Sequence, residues 1–334
     1  MNRPPRLFLP ALRAACLLLW FPAALAAPSI ADFSPKLGPA GTVVTITGTG
    51  FTGASAVIFG DSNGQTTALT VISPTRVDVI VPLTAGSGSI AVVTPTRTAS
   101  SGLRFFEAGP RITFFSPPTG APGTSVRVDG ANFILGATPR VTAVRFNGVP
   151  ATQGQVIGAT TLNAVVPPGG TSGFLEVETP AGLARSDVKF YAQPIIQRFT
   201  PTNGLAGDTI TLHGTSFDDA TSVRIGNTEV PFVVVQSTNA VLVLGTNVTT
   251  GRLTLTAPGG AFIHPTNLVV GPRIVAFSPA FGRSGTNVTL AGAAFNGVQE
   301  VRFNGVAATF TPGTVNQLSA TVPAGASTGP IPIR

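Results

Sequence analysis

The chain is short of almost every residue type on which site chemistry is built. Its 334 residues include one cysteine, one methionine, one tryptophan, one tyrosine and two histidines. The cysteine is Cys16. With no second cysteine an internal disulfide is excluded, and any folded unit must hold by packing alone. Two separated histidines, His213 and His264, give no spacing that suits zinc and no Ser-His-acid set. Charged residues make up only 10% of the chain. Twenty basic residues outnumber thirteen acidic ones, but the arginines are scattered, and a nucleic-acid-binding face needs them clustered. Glycine-rich stretches are frequent, yet none opens a helix in the pattern that cradles phosphate. The sequence therefore assigns no catalytic, cofactor-binding or metal-binding residue, and the expectation is a chain that is not an enzyme.

What the chain does have is apolar surface and turns. Hydrophobic residues reach 43%, with 39 glycines and 30 prolines. Disorder needs low hydrophobicity and is excluded. The composition predicts many short strands joined by tight turns, with few segments that read as helix.

The first residues read as an export signal. Arg3, Arg6 and Arg13 precede an apolar run from Ala14 to Leu25, and small residues follow at Ala24-Leu25-Ala26-Ala27. A charged region, an apolar region and an Ala-x-Ala site make a signal peptide over residues 1–26, cleaved after Ala26 or, as second choice, after Ala27. The run is shorter than the ~20 residues a membrane span needs, and Pro22 interrupts it. Cys16 lies near the start of the apolar region, which does not fit lipid attachment at its end. Cleavage would remove Cys16, Trp20 and three arginines, leaving a net charge of +4.

One phrase then returns four times. Phe33-Ser34-Pro35 is followed by Gly41-Thr42 and Gly48-Thr49-Gly50-Phe51. The other copies begin at Phe115-Ser116-Pro117, Phe199-Thr200-Pro201 and Phe277-Ser278-Pro279, and reach Phe133, Phe217 and Phe295. The prolines are 82, 84 and 78 residues apart. That period is too long for a solenoid and right for a small autonomous domain. After each glycine pair, apolar residues alternate: Val44/Ile46, Val126/Val128, Ile210/Leu212 and Val288/Leu290. A period of two with one apolar face is a half-buried strand. Gly48, Gly130, Gly214 and Gly292 are expected to supply a backbone conformation closed to other residues, so that the following phenylalanine covers the core. Val144-Arg145-Phe146-Asn147-Gly148 and Val301-Arg302-Phe303-Asn304-Gly305 carry the Asn-Gly hairpin signal. Val81-Pro82, Val166-Pro167 and Val322-Pro323 end another strand, and repeat three departs with Val243-Leu244-Gly245. Thr179-Pro180-Ala181-Gly182 and Ala257-Pro258-Gly259-Gly260 mark a turn before the last strand. The proline of Phe-x-Pro suits an edge strand or a crossing between sheets. About seven short strands per repeat read as an antiparallel sandwich.

The order of Phe-x-Pro, Gly-Thr, Gly-x-x-Phe, Val-x-Phe-Asn-Gly, Val-Pro and Thr-Pro-x-Gly resembles the IPT/TIG family of immunoglobulin-like domains over nearly all of the chain after residue 27. The resemblance implies an all-β fold of four tandem early-set immunoglobulin-like β-sandwiches, at residues 28-107, 110-192, 194-270 and 272-334. It implies little about activity, because the family serves as DNA-contacting modules, as receptor stalks and as accessory modules of bacterial surface proteins and polysaccharide-degrading enzymes. Aligning repeats two and four sets Gly329 opposite Gly173 and Ile333 opposite Val177. Repeat four is thus expected to lack its final strand. A fragment of a longer protein is the plain reading, and a strand donated by a partner is the other.

The remaining polar residues read blandly. His213 is expected on an outer face without a partner, and His264 in the turn before the last strand of repeat three. Asp218-Asp219 reads as a solvated acidic loop. Glu176 and Glu178 share an outer face, whereas a catalytic carboxylate pair faces into a cleft. Asn247 and Asn287 begin three-residue sequons. Glycan sites often use flat Trp or Tyr platforms, and beyond the leader only Tyr191 is left. Linkers are short and end in Pro110, Pro194 and Pro272, which restricts swivelling and predicts a semi-rigid rod. The reading is a non-catalytic secreted or cell-surface protein, located extracellularly, at the cell surface or in the periplasm. It would serve as a stalk, adhesive or interaction module with a protein or cell-surface polysaccharide as partner, no nucleic acid and no membrane span in the mature chain. The alternative is a carbohydrate-associated segment of a larger exported polysaccharide-degrading enzyme.

Overall fold

The computed structural model describes residues 27–334, so the signal-peptide segment 1–26 lies outside the described residues. Four β-sandwiches follow one another. In the first, one sheet orders Ser29–Ser34, Val43–Thr49, Arg76–Ile80 and Leu69–Ser73. The facing sheet orders Leu37–Gly38, Thr98–Ala108, Gly88–Val93, Ala56–Phe59 and Gln65–Thr66. Domains 2 and 3 repeat both sheets, and domain 2 adds a short hairpin of Ile134–Leu135 with Thr138–Pro139. Domain 4 keeps the first sheet, while Val301–Phe303 pairs with Val306–Ala308, and Ile333 bridges Val301. Helical turns among the described residues are the short 3-10 segments Ser62–Gly64 and Phe295–Gly297.

The alternation does what its period requires. Val44 and Ile46 are fully buried and Thr45 is half-buried. Each domain has its own apolar cluster built from these inward positions. Phe51, Phe133, Phe217 and Phe295 close one end of each core, and a buried side chain of this size contributes about 1.5–3 kcal/mol. In domains 1 and 2 the centre is aromatic: Phe106 packs edge-on against Phe59 at 5.1 Å, and Phe190 against Phe146 at 5.0 Å. Domain 3 has Leu268 opposite Gly251, where the others pair Phe106 with Gly88 and Phe190 with Gly173. Ring packing there comes from His264, 4.9 Å from Phe199.

The prolines of Phe-x-Pro sit at the crossing between sheets. Ser29–Ser34 belongs to one sheet and Leu37–Gly38 to the other, with Pro35 between them. All four of these X-Pro bonds are cis. In domains 1, 2 and 3 the two-residue strands after them pair in parallel with the last strand of the domain, and they are too short to leave a periodic signal. The Asn-Gly pairs form two-residue turns with both φ values positive: Asn147 47° and Gly148 81°, Asn304 45° and Gly305 89°, as hairpin twist requires. Repeat three makes the Val-Pro brace with leucine. Leu244 N–H donates to Asp208 O, as Val81 N–H does to Thr42 O.

The first glycine of Gly-x-x-Phe has a different role from the one its sequence suggests. Gly48, Gly130, Gly214 and Gly292 are not in the left-handed region. They are glycine because a Cβ would lie 1.8–1.9 Å from the carbonyl oxygen of Ser29, Arg111, Ile195 or Arg273, and 2.6–2.8 Å from the tip of the capping phenylalanine. The left-handed residue is two places on: Gly50, Asn132, Ser216 and Ala294, with φ of 69°, 64°, 60° and 56°.

Two glycines of domain 2 separate these effects. Gly130→Ala drives a methyl into backbone and should cost more than about 3 kcal/mol. Gly123→Ala meets open space at φ +90° and should cost only about 1–2 kcal/mol. Denaturant unfolding of both variants checks the order, and equal losses would contradict the close-approach explanation.

Candidate functional site

The best-defined constellations lie where one domain meets the next. Only two residues separate the last strand of each domain from the first strand of its successor: Gly109-Pro110, Gln193-Pro194 and Gly271-Pro272. The first of each pair is tied back to its own domain. Gly109 N–H donates to Gly38 O, Gln193 N–H to Gly120 O, and Gly271 N–H to Gly204 O, at 2.9–3.0 Å. Just before, a hydroxyl braces the strand end: Ser87, Ser172 and Thr250 Oγ accept from the N–H of Ala108, Ala192 and Val270.

The left-handed residue of the next domain reaches back into that corner. At the first joint Asn132 Oδ1 accepts from Ser87 N–H at 3.0 Å, while its Nδ2 donates to Ala85 O at 3.0 Å and Gly109 O at 2.8 Å. At the second, Ser216 is buried and its hydroxyl lies 3.4 Å from Gly170 O. At the third, Ala294 is buried within the apolar cluster of domain 3. The same backbone position thus makes all three joints, with a different side chain at each.

The other side of each joint is supplied by separate contacts. At the first, Glu107 is buried at the end of its strand and receives a two-pronged contact from Arg140, with Nε to Oε1 at 2.7 Å and Nη2 to Oε2 at 2.6 Å. These hydrogen bonds to Glu107 push Arg140 above its ordinary value, so it stays charged. The turn before the last strand of domain 2 also lies against domain 1, since a Cβ on Gly182 would sit 3.2 Å from Pro39. In domain 3 the equivalent turn approaches closer still. A Cβ on Gly259 would lie 2.1 Å from Ala192 O, and Gln193 Nε2 donates to Ala261 O at 2.6 Å. At the third joint Arg273 Nη1 donates to Ala206 O.

The remaining polar residues are dispersed. His213 has a partner, contrary to expectation: its Nδ1 lies 2.7 Å from Asn239 Oδ1, because the two face each other across paired strands. His264 lies within the strand Gly260–Val270, not in the turn before it, and is buried. Thr266 N–H donates to its Nδ1 at 3.2 Å. Asp218 is exposed and Asp219 half-buried. Glu176 and Glu178 are half-buried on the same face of Gly173–Thr179, and Glu178 pairs with Arg145 at 2.7 Å. Asn287 Oδ1 accepts from Thr321 Oγ1 at 2.7 Å. Tyr191 is half-buried. Among the described residues no group of three or more His, Cys, Asp or Glu could hold a metal, and no helix is long and apolar enough to cross a membrane.

The joint residues carry no common sequence signature. Asn132, Ser216 and Ala294 vary in type, and their shared role shows only once their shared conformation is known. The recurring hydroxyl before glycine (Ser87-Gly88, Ser172-Gly173, Thr250-Gly251, Thr328-Gly329) was there to be found. The pair Glu107–Arg140, 33 residues apart, left no local signal.

Four like sandwiches joined end to end by one repeated corner define a tandem immunoglobulin-like array. The IPT/TIG domain family matches residues 28–106, 110–187, 194–269 and 272–334, and the chain belongs to that family. Human fibrocystin-L (Homo sapiens) is 29% identical over 211 residues, covering 60% of this chain and 5% of that protein. Fibrocystin-L of Mus musculus is 27% identical over 307 residues, covering 81% and 7%. The chain therefore spans less than a tenth of the length of these relatives. Among solved structures, the Plexin A4 extracellular region is 15% identical with a TM-score of 0.24, over 90% of this chain and 34% of that one. SGBP-B from a xyloglucan utilization locus in Bacteroides uniformis is 19% identical with a TM-score of 0.24, over 57% and 71%. At these scores neither likeness bears on what the chain binds.

The joints give a direct test. Asn132→Ala removes three hydrogen bonds, worth about 1.5–4.5 kcal/mol together. Arg140→Ala leaves the Glu107 carboxylate without its two-pronged partner at the same joint. Spin labels on domains 1 and 2 should show a broadened distance distribution in the double variant. Ser216→Ala should broaden the distribution between domains 2 and 3 much less. An unchanged first-joint distribution would contradict the assignment.

Proposed function

We propose that this chain is exported and acts without catalysis as a semi-rigid spacer that presents interaction surfaces. Tandem TIG domains are an interaction module, and the finer assignment rests on one observation: every joint is built from the same corner. Two-residue linkers ending in proline, the back-bonded first linker residue and the inserted left-handed residue all limit swivelling. The units on this reading are residues 28-107, 110-192, 194-270 and 272-334, with residues 1–26 removed on export. The partner is a protein or a cell-surface polysaccharide, met by loops at the joints, where surface segments are free to vary without disturbing the cores. No residue is assigned a catalytic, cofactor or metal role.

A packed chain without mature cysteine suits this role outside the cell, because its stability does not depend on redox state. Length is the property such a protein would supply. A strand of 7–9 residues spans ~25–30 Å, so four domains in line should reach on the order of 120–160 Å with their loops.

Small-angle scattering of the chain lacking residues 1–26 tests this reading. The expected maximum dimension is on the order of 120–160 Å. A compact particle of this chain length would instead have a radius of gyration near ~19 Å, and that value would overturn the spacer.

A further inference from the structure

Because the four domains share the strand pairing of the first sheet, each inward position of that sheet can be compared with its own counterparts. One such position lies on the edge strand of the first sheet. Leu69 pairs with Val79, Gly154 with Ala164, Phe232 with Leu242, and Phe310 with Ala320. Those four partners in turn lie opposite Val44, Val126, Ile210 and Val288, which fixes the equivalence. Leu69, Phe232 and Phe310 are half-buried and pack against their cores. Domain 2 alone has no side chain there.

The backbone does not call for that glycine. Gly154 is not among the residues with positive φ. A Cβ on it would meet only Val144 Cγ2, at 3.5 Å, an ordinary contact. The same corner is pared back a second time. Ala151 N–H donates to Val144 O as Val230 N–H donates to Val223 O, so alanine stands in domain 2 where domain 3 buries a valine. The outcome is an open-mouthed cavity of about 220 Å³ lined by Val141, Ala143, Val144, Pro150, Ala151 and Gly154, among others. Val144 is 5% exposed, whereas Val57, Val223 and Val301 at the same place are 0% exposed.

An apolar corner left unfilled forgoes packing, and departures from good packing concentrate at functional positions. A closed apolar cavity of about 150 Å³ holds benzene; this one is open on one side and lined by polar as well as apolar atoms, and its volume admits one ring with an edge left in water. We propose that the cavity of domain 2 is a binding site for a small ligand carrying one uncharged, phenyl-sized apolar group. The group would occupy the space that the Phe232 and Phe310 rings fill in domains 3 and 4. Thr142 and Pro150, also in the lining, are exposed, which leaves the rest of such a ligand in water. The site does not depend on the spacer reading, and failure of either leaves the other standing.

The probe is toluene, titrated into the isotope-labelled chain while amide resonances are followed. Saturable shifts should centre on Val144, Ala151 and Gly154. Gly154→Phe, which restores the ring of domains 3 and 4, should weaken binding by about tenfold or more without lowering the unfolding midpoint. Gly154→Leu, which copies domain 1, serves if the phenylalanine variant does not fold. Phe232→Gly should create matching saturable shifts around Val223 in domain 3. The absence of saturable shifts at Val144, Ala151 and Gly154 in the unaltered chain would overturn the proposal, as would shifts that persist in the filled variant.

Discussion

A single tight turn holds this molecule together at two scales. In each domain the strand carrying the alternating valines ends at a glycine that touches the backbone of the first strand, with no room for a Cβ. Two residues later the chain enters the left-handed region, and the next residue is the phenylalanine that closes the core. The phenylalanine points into its own core, and the left-handed residue before it faces the preceding domain. In domains 2, 3 and 4 that outward residue is Asn132, Ser216 or Ala294, and each fits the corner of the preceding domain. Core closure and domain alignment are therefore one geometric event, and the core's apolar burial helps fix the joint.

The three joints share this geometry and differ in chemistry. The first is polar, with three hydrogen bonds made by Asn132 and the pair of buried Glu107 with half-buried Arg140. The second combines the Ser216 contact with the close approach of Gly259. The third is largely apolar, with Ala294 buried in its neighbour's core. Polar joints depend on direction and apolar ones do not, so orientation is most narrowly set between domains 1 and 2.

Much of the architecture was legible because it rests on local rules. Val44 and Ile46 with Thr45 between them announce a half-buried strand. Asn147-Gly148 and Asn304-Gly305 announce their turns, and the capping phenylalanines recur at fixed spacing. Other features were hidden for physical reasons. Gly48 and its counterparts look like conformational glycines, but they are set by a carbonyl oxygen on another strand. His213 meets Asn239 only through strand pairing, and His264 meets Phe199 only because the two sheets pack face to face. Gly154 reads as an unremarkable glycine until register places it opposite Ala164. Periodicity records which way a side chain faces, not what it meets, so the core was readable and the joints and the domain 2 cavity were not.

The central claim is that the turn closing each core also fixes its neighbour's orientation. Residual dipolar couplings of the backbone amides in residues 27–334, measured in a dilute aligning medium, test it most directly. The account predicts that domains 1 and 2 share one alignment tensor in magnitude and direction, and that domain 3 follows closely. Independent tensors of clearly different magnitude for domains 1 and 2 would show that they tumble separately, and would contradict the account.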